Sequence, residues 1–416
     1  MKIRCLASLT AAAVAHAAFA QVSFTPIGLL PGTETAPDTY SDAYGVSNSG
    51  VAVGTFFDPR GDGAFIGFRW TAGGGAVDIG TLGVGRQVFP RSITSDGLTI
   101  VGEITGPGVA FRKVGNAPIE DLGFPGGDVY DASAASDVSE DGSVVAGVLS
   151  RVEDGTFRAA RWSTTQGWQD LGVLGFDVES SAQGISGDGS VVVGNSVGNF
   201  FTAFKWTASQ GMTALENPFG IESNTAAIAL SLDATVITGQ AQNVEGITQA
   251  PVWFADGSVG LLDNLPGFDA ASGFGVSGDG SVVVGTVFIE NVGEDRAVFW
   301  TTRNRRVYDL KQFLADNGIA TPGWRFLALK EVSQDGRSFV GWGFNPTNQL
   351  EAYLVRVDTL PCPADFNSDG QVDFFDFLDF AAAFASDDPA ADFDQSGQVD
   401  FFDYLDFAEE FDLGCD

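Results

Sequence analysis

Ser277-Gly278-Asp279-Gly280-Ser281-Val282-Val283-Val284-Gly285 recurs at Ser186 to Gly194 as Ser-Gly-Asp-Gly-Ser-Val-Val-Val-Gly. Looser copies end at Gly54, Gly102, Gly147, Gly239 and Gly341. The seven terminal glycines are spaced by 48, 45, 47, 45, 46 and 56 residues. A period of this length marks a repeat architecture, in which each unit buries its apolar face against the next.

Each copy holds four short apolar runs. The fourth copy serves as the pattern: Ala182 to Ser186, Val191 to Gly194, Ala203-Phe204-Lys205-Trp206-Thr207 and Met212 to Leu215. Other copies read Phe68-Arg69-Trp70-Thr71, Ala160-Arg161-Trp162-Ser163 and Val298-Phe299-Trp300-Thr301 at the third run. Runs of four to six residues rich in Val, Ile, Phe and Trp, broken by Gly, Asp, Asn and Ser, are strands joined by tight turns. Asp-Gly between runs one and two is a hairpin signal, because Gly takes positive φ without strain. Four strands in about 45 residues match one propeller blade. The expectation is a mainly β protein, a seven-bladed β-propeller of four-stranded repeats spanning residues 21–357. A β-solenoid is the rival arrangement.

The last copy lacks its own fourth run. The segment Phe24-Thr25-Pro26-Ile27-Gly28-Leu29-Leu30-Pro31-Gly32 resembles the fourth-run sequence Asp170-Leu171-Gly172-Val173-Leu174-Gly175. An N-terminal strand completing the last blade would close the ring and remove its open edges. The 56-residue interval holds an apolar helical pattern at Leu310, Phe313 and Leu314 that stops at Gly318.

Met1 to Ala20 reads as a signal peptide. Lys2 and Arg4 precede the uncharged run Cys5 to Ala15, and Ala18-Phe19-Ala20 fits the small-x-small cleavage rule. Export places the protein outside the cytoplasm, secreted or in the cell envelope. Cleavage removes His16, the one histidine, and Cys5. The mature chain then excludes Ser-His-Asp and Cys-His catalysis and histidine zinc sites. The net charge of −33 excludes nucleic acid and insertion into an anionic membrane.

The pattern Ile-Ser-x-Asp-Gly-x-Val-Val-Val-Gly, then Ala-Phe-x-Trp-Thr, then Asp-Leu-Gly resembles the bacterial extracellular proteins named for their HAF repeat. No His precedes the Ala-Phe pairs Ala110-Phe111 and Ala203-Phe204. The resemblance implies the fold and export and no particular reaction. Ser-x-Asp-Gly reads as a structural turn. Trp70, Trp162, Trp206, Trp253 and Trp300 recur at one point of the repeat and are expected in the core rather than as sugar platforms.

Composition changes after Val357. Residues 362–416 contain 16 acidic residues and no Lys or Arg. Asp365, Asn367, Asp369, Gln371, Asp373 and Asp376 occupy positions 1, 3, 5, 7, 9 and 12 of a calcium loop, with Gly370 at the sharp turn. Asp392, Asp394, Ser396, Gln398, Asp400 and Asp403 repeat the set 27 residues later. Both loops run into helical patterns, Phe374 to Ala381 and Phe401 to Ala408. Two Ca²⁺ ions are expected, since hard oxygen ligands suit calcium and no soft ligand is present. Asp at position 12, with helices following the loops, resembles the dockerin family. That resemblance implies a docking module over 358–416, acting through a protein partner or self-association. Positions 10 and 11 are Phe374-Phe375 and Phe401-Phe402, unlike the small hydroxylated pair of cellulosomal dockerins. Cys362 and Cys415 bracket the loops and are expected to form a disulfide, which stabilises such a module by roughly 2–4 kcal/mol. Two free thiols are the alternative, disfavoured outside the cytoplasm.

The functional expectation is a non-enzymatic binding or scaffold protein whose propeller presents a ligand surface, for a protein or a glycan, and whose tail docks in a calcium-dependent way. No acid pair stands out from the repeats. The alternative is a polysaccharide-active enzyme that cleaves glycosidic bonds with a carboxylate pair. Binding is expected where the seven copies differ.

Overall fold

The structure, a computed structural model, describes residues 22–32, 38–60, 63–83, 85–106, 108–220, 222–290, 292–303, 305–367, 371–393 and 398–414. The signal segment, residues 1–20, lies outside them. Seven antiparallel sheets follow one another along the chain, each built in strand order from the first run to the fourth. Their first strands are Tyr40–Val46, Val88–Ile93, Tyr130–Val138, Glu179–Ile185, Thr225–Leu230, Ala270–Val276 and Arg325–Val332. Each packs against the first strands of its two neighbours, so these seven line a central axis. This is the seven-bladed propeller the period implies, and the closed ring rules out a solenoid.

Closure uses the N-terminus as expected. Val22–Pro26 pairs antiparallel with Leu350–Val357 as the outer strand of blade 7, in register from Val22 with Val357 to Pro26 with Tyr353. The next residue, Ile27, donates its N–H to the Ala352 carbonyl at 2.9 Å. Leu171 makes the same bond to Ala159 in blade 3, and Leu215 to Ala203 in blade 4. The chain start therefore replaces the missing fourth run residue for residue.

Two hydrogen-bond systems tie blade to blade. In the first, a buried hydroxyl of one blade's first strand bridges the preceding blade. Ser180 accepts from the Ala159 N–H at 2.9 Å and donates to the Gly172 carbonyl at 2.6 Å. Ser133 does the same with Ala110 and Gly123. Ser41 does so across the closing seam with Ala352 and Gly28.

The second system runs through the Ser-x-Asp-Gly turns. Within a turn, the Ser277 hydroxyl donates to Asp279 at 2.6 Å, while Val282 N–H returns to Ser277 Oγ at 3.0 Å. Gly280 holds φ at +76°. Between turns, the x residues form a chain. Asn48 bonds to Ser95, Glu140 to Gly187, Gly187 to Leu232, Leu232 to Gly278 and Gly278 to Gln334, all backbone at 2.8 to 3.0 Å. The Ser95 hydroxyl reaches the Glu140 carboxylate, and Asp335 N–H returns to Asn48 Oδ1 at 3.0 Å. The turns thus form a closed belt, which identifies them as scaffold.

The apolar cores lie between adjacent blades. One gathers Val144, Ala146 and Ala159 of blade 3 with Ala182, Val192, Phe204 and Trp206 of blade 4. The five repeated tryptophans are buried, as the periodicity implies. Trp253 and Trp300 donate their indole N–H to carbonyls of the preceding blade, Glu216 and Asp263.

Helix α1 (Leu310–Asp316) is the inserted helix of the long interval, with Leu310, Phe313 and Leu314 buried. Helices α2 (Phe374–Ala385) and α3 (Phe401–Leu413) follow the propeller. They pack through residues at equivalent places in the two halves: Phe380 stacks on Phe407 with centroids 3.9 Å apart, and Phe366 and Phe393 meet that pair edge-on. Among the described residues no helix is long and apolar enough to cross a membrane.

Candidate functional site

The glycine that ends each Val-Val-Val-Gly run shapes the centre of the molecule. In every blade the first strand carries a β-bulge opposite that glycine. A Cβ there would overlap a first-strand carbonyl oxygen, at 1.9 Å from Asp42 O for Gly54 and 2.0 Å from Ala134 O for Gly147. Only glycine allows the strand to buckle toward its partner. A bulge re-aims a side chain and sits by preference near functional sites.

The extra residues are Tyr44, Arg91, Ser136, Gln183, Ile228, Phe274 and Lys330, one per blade. All seven line one cavity of about 470 Å³ on the central axis. No two are alike, in a strand whose flanks repeat. Around the ring they form a basic and aromatic arc (Lys330, Tyr44, Arg91), a polar arc (Ser136, Gln183) and an apolar arc (Ile228, Phe274).

The residue after each bulge is small in four blades and serine in a fifth; blades 3 and 7 have Asp137 and Glu331, and both line the cavity. Asp137 Oδ1 accepts from the Ser92 hydroxyl at 2.7 Å and its own strand's Val138 N–H at 2.8 Å, and Oδ2 accepts from Ile185 N–H at 3.0 Å. One carboxylate thus spans blades 2, 3 and 4. Burial raises its pKa and those three bonds oppose the rise. Glu331 accepts a single N–H, from Val332 at 2.9 Å. Burial pushes its carboxyl well above the usual range, and the Asp137 charge pushes it further. The expectation that no acid pair stands out is therefore corrected: the bulges bring two acids from blades 3 and 7 to one cavity.

Further acid and base meet on the basic arc. The Tyr44 hydroxyl donates to Asp42 Oδ2 at 3.3 Å, and burial with the Asp42 charge pushes Tyr44 up to about 12. Burial raises Asp42 against the pull of Tyr44, Lys330 and Arg91. Arg91 pairs with Glu103 at 2.6 Å and lies 5.1 Å over the Tyr44 ring. Lys330 Nζ lies 3.8 Å from the centroid of Phe274, and burial lowers its pKa while Asp42 holds it up.

The residues expected to form calcium loops lie elsewhere, beside α2 and α3. Asp369, Asp394 and Ser396 fall outside the described residues, as does Cys415. Asp376 and Asp403, at position 12, are wholly buried at the third position of their helices. Asp376 accepts N–H groups of Asn367 at 3.0 Å and Asp373 at 2.8 Å. Asp403 accepts those of Phe393 at 2.5 Å and Asp400 at 2.6 Å. Asp373 and Asp400 cap the same helices. Asp365, Gln371, Asp392 and Gln398, at positions 1 and 7, are described on either side of the residues left out. Among the described residues no three His, Cys, Asp or Glu side chains form a metal-holding group.

Sequence reasoning missed the cavity. The signal was present, since the bulge residue stands ten or eleven positions before each terminal glycine. What hid it was its variability, which reads as loop-like noise until the register shows where the side chain goes.

No family model matches the chain, and neither does any curated protein. Solved structures do match. An oligogalacturonate lyase from Vibrio parahaemolyticus is 12% identical, over 82% of this chain and 98% of that one, with a TM-score of 0.51. The β-propeller domain of the Trilobed protease from Pyrococcus furiosus, described as having an open velcro topology, is 11% identical over 77% and 96%, also at 0.51. A putative TolB from Agrobacterium tumefaciens is 17% identical over 65% and 89%, at 0.43. The chain is similar to the first two in fold, and the class its seven sheets define is the β-propeller.

Proposed function

We propose that this is an exported propeller that binds a ligand in its central cavity and is held in place by a calcium-organised C-terminal module. One observation carries the reading. The inner-strand position that differs in all seven blades is the one aimed into the cavity, on a scaffold that otherwise repeats. Variable lining on an invariant frame is what a binding site needs. The residues 1–20 supply the export signal, and the repeat pattern keeps its resemblance to the HAF-repeat proteins. To test the cavity, the full-length protein is incubated with a small-molecule extract, and bound compounds are identified by mass spectrometry. Compounds enriched on the wild type and lost from the cavity-filling variant Gln183→Trp support the reading. Equal recovery from both removes it.

The tail reading rests on its oxygen donors and on its exposed aromatics. Two wholly buried carboxylates in a segment without Lys or Arg suit a hard cation, and Asp365, Asn367, Asp369, Gln371, Asp373 and Asp376, with their six counterparts, would hold one Ca²⁺ per loop. Phe374, Phe375, Phe401 and Phe402 are each more than 60% exposed at the starts of the two helices. Such a paired apolar surface marks a site for a protein partner. A disulfide between Cys362 and Cys415 would close the module. Recovery of one envelope protein with the full chain, abolished by EGTA and by Phe374→Ser with Phe401→Ser, is the expected result.

A second reading, glycoside cleavage, is favoured by Asp137 and Glu331. Their environments differ in the sense an acid and base require: the singly hydrogen-bonded Glu331 is pushed well above its usual range, and Asp137, with three bonds opposing its rise, is the readier carboxylate. Turnover on a polysaccharide panel, lost in both Asp137→Asn and Glu331→Gln, would replace the first reading.

A further inference from the structure

The chain has 54 acidic residues against 21 Lys and Arg, yet one lysine at its centre has no acid partner. Lys330 makes no hydrogen bond or ion pair among the described residues. Its ammonium rests over two rings, 3.8 Å from Phe274 and 5.6 Å from Trp342. Asp42 acts on its charge through space but gives its bonded oxygen to Tyr44. An ammonium has three donors and no acceptor, so seating it in a protein interior without a bonded anion is unfavourable. The fold does not need it there, since the same bulge holds Ile228 in blade 5 and Phe274 in blade 6.

Unused donors stand on this arc, beside one buried acceptor without a partner, Asp42 Oδ1. The Arg91–Glu103 contact is made by Nη2, one of three guanidinium nitrogens. Glu331, next to Lys330, accepts one N–H and in its neutral form offers an O–H. A cavity rich in donors selects an acceptor-rich ligand. Charge narrows the class. Arg91 is offset by Glu103 and Lys330 is opposed through space by Asp42, so the arc has room for at most one negative charge on a ligand. A cavity of about 470 Å³ takes a small organic molecule.

We propose that the arc of blades 7, 1 and 2 is a subsite for the carboxylate of a small organic acid, with Lys330 as its counter-ion and Arg91 as the second donor. The inference rests on the cavity being the ligand site and names the ligand's chemical class. Lys330 holds a monoanion by charge, Arg91 fixes its plane by N–H donation, and Phe274 and Ile228 face the apolar part.

The test is calorimetry on the full-length protein at low salt, with matched probes. Acetate, lactate and gluconate are each compared with a neutral counterpart, acetamide, propanediol and sorbitol, and with sulfate. At least one acid is expected to bind while its neutral partner does not. Lys330→Met should weaken that binding at least tenfold and leave the urea midpoint unchanged or higher, because a half-buried charge without a bonded anion is replaced by an apolar chain. Arg91→Lys should weaken it less than Lys330→Met. Absence of binding by all three acids, equal binding in Lys330→Met, or equal competition by sulfate overturns the assignment. If extraction through the cavity yields only neutral compounds that Gln183→Trp removes, the cavity reading stands and the carboxylate subsite falls.

Discussion

Gly285 faces Ser272 so closely that a Cβ on the glycine would stand 2.0 Å from the serine carbonyl oxygen. The repeat's best-kept letter is thus a requirement of the backbone opposite it. Gly285→Ala cannot be absorbed by a side-chain rotation, because the obstructing atom is main chain. Either the bulge at Phe274 is lost or the first strand moves away. A loss of roughly 3 kcal/mol or more is expected, read as a fall in the urea midpoint. Gly73→Ala, with open space around the new Cβ, should change stability by no more than about 0.5 kcal/mol. Equal effects at the two sites would refute the steric account.

The closing seam makes a second prediction. Ser41 is fully buried and satisfies two backbone groups of another blade, the Ala352 N–H at 2.9 Å and the Gly28 carbonyl at 2.7 Å. Ser41→Ala leaves both unpaired in the interior, which costs about 1–3 kcal/mol. Ser41→Thr should lose less, since Thr225 fills the same role toward Ala203 in blade 5. Chemical denaturation of the two variants checks this, and a Thr variant as weak as the Ala variant would count against the bridging role.

Much of this was open to reading in the sequence, and the reason is periodicity. Sevenfold recurrence fixed the strand count, and the likeness of Ile27-Gly28 to Leu171-Gly172 located the closing strand. The Asp-Gly turns and the buried tryptophans followed from residue chemistry. The cavity did not follow, because its acids come from separate blades: Asp137 and Glu331 are 194 residues apart and neither belongs to a motif. Their meeting depends on a bulge that moves one side chain per blade onto the axis, and bulge register is a property of strand pairing rather than of composition. Lys330 was equally hidden, as one basic residue among unlike counterparts.

Glu331 gives a pH signature with a definite sign. Burial raises its folded-state pKa well above the unfolded value of about 4.3. Below the unfolded value both states hold the proton, and the group has no differential effect. Between the two values the unfolded state has released a proton that the folded state retains, so stability falls as pH rises through that window. Above the folded value the penalty is constant. Glu331→Gln removes the titration. The variant should therefore gain stability over the wild type as pH rises above about 4, until the folded-state value is passed, measured by urea denaturation at each pH. A difference that stays flat over this range would show that Glu331 is not a raised carboxyl.

Asp376 and Asp403 allow the two proposed calcium loops to be separated. Each is the last ligand position of its proposed loop, and each is a wholly buried acceptor of two backbone N–H groups at the start of its helix. Asparagine keeps the size but offers one acceptor oxygen and no charge. Asp376→Asn should reduce calcium binding to the full-length protein from two ions to one, and Asp403→Asn should do the same, with the double variant binding none. Isothermal titration gives the stoichiometry. The variants should also be less stable in EGTA by about 1–3 kcal/mol each, because one N–H is left without an acceptor where the native carboxylate satisfied two. That second effect separates two roles of one residue: loss of an ion with unchanged stability in EGTA would make the carboxylate a ligand only, and lost stability with both ions retained would make it a helix cap only.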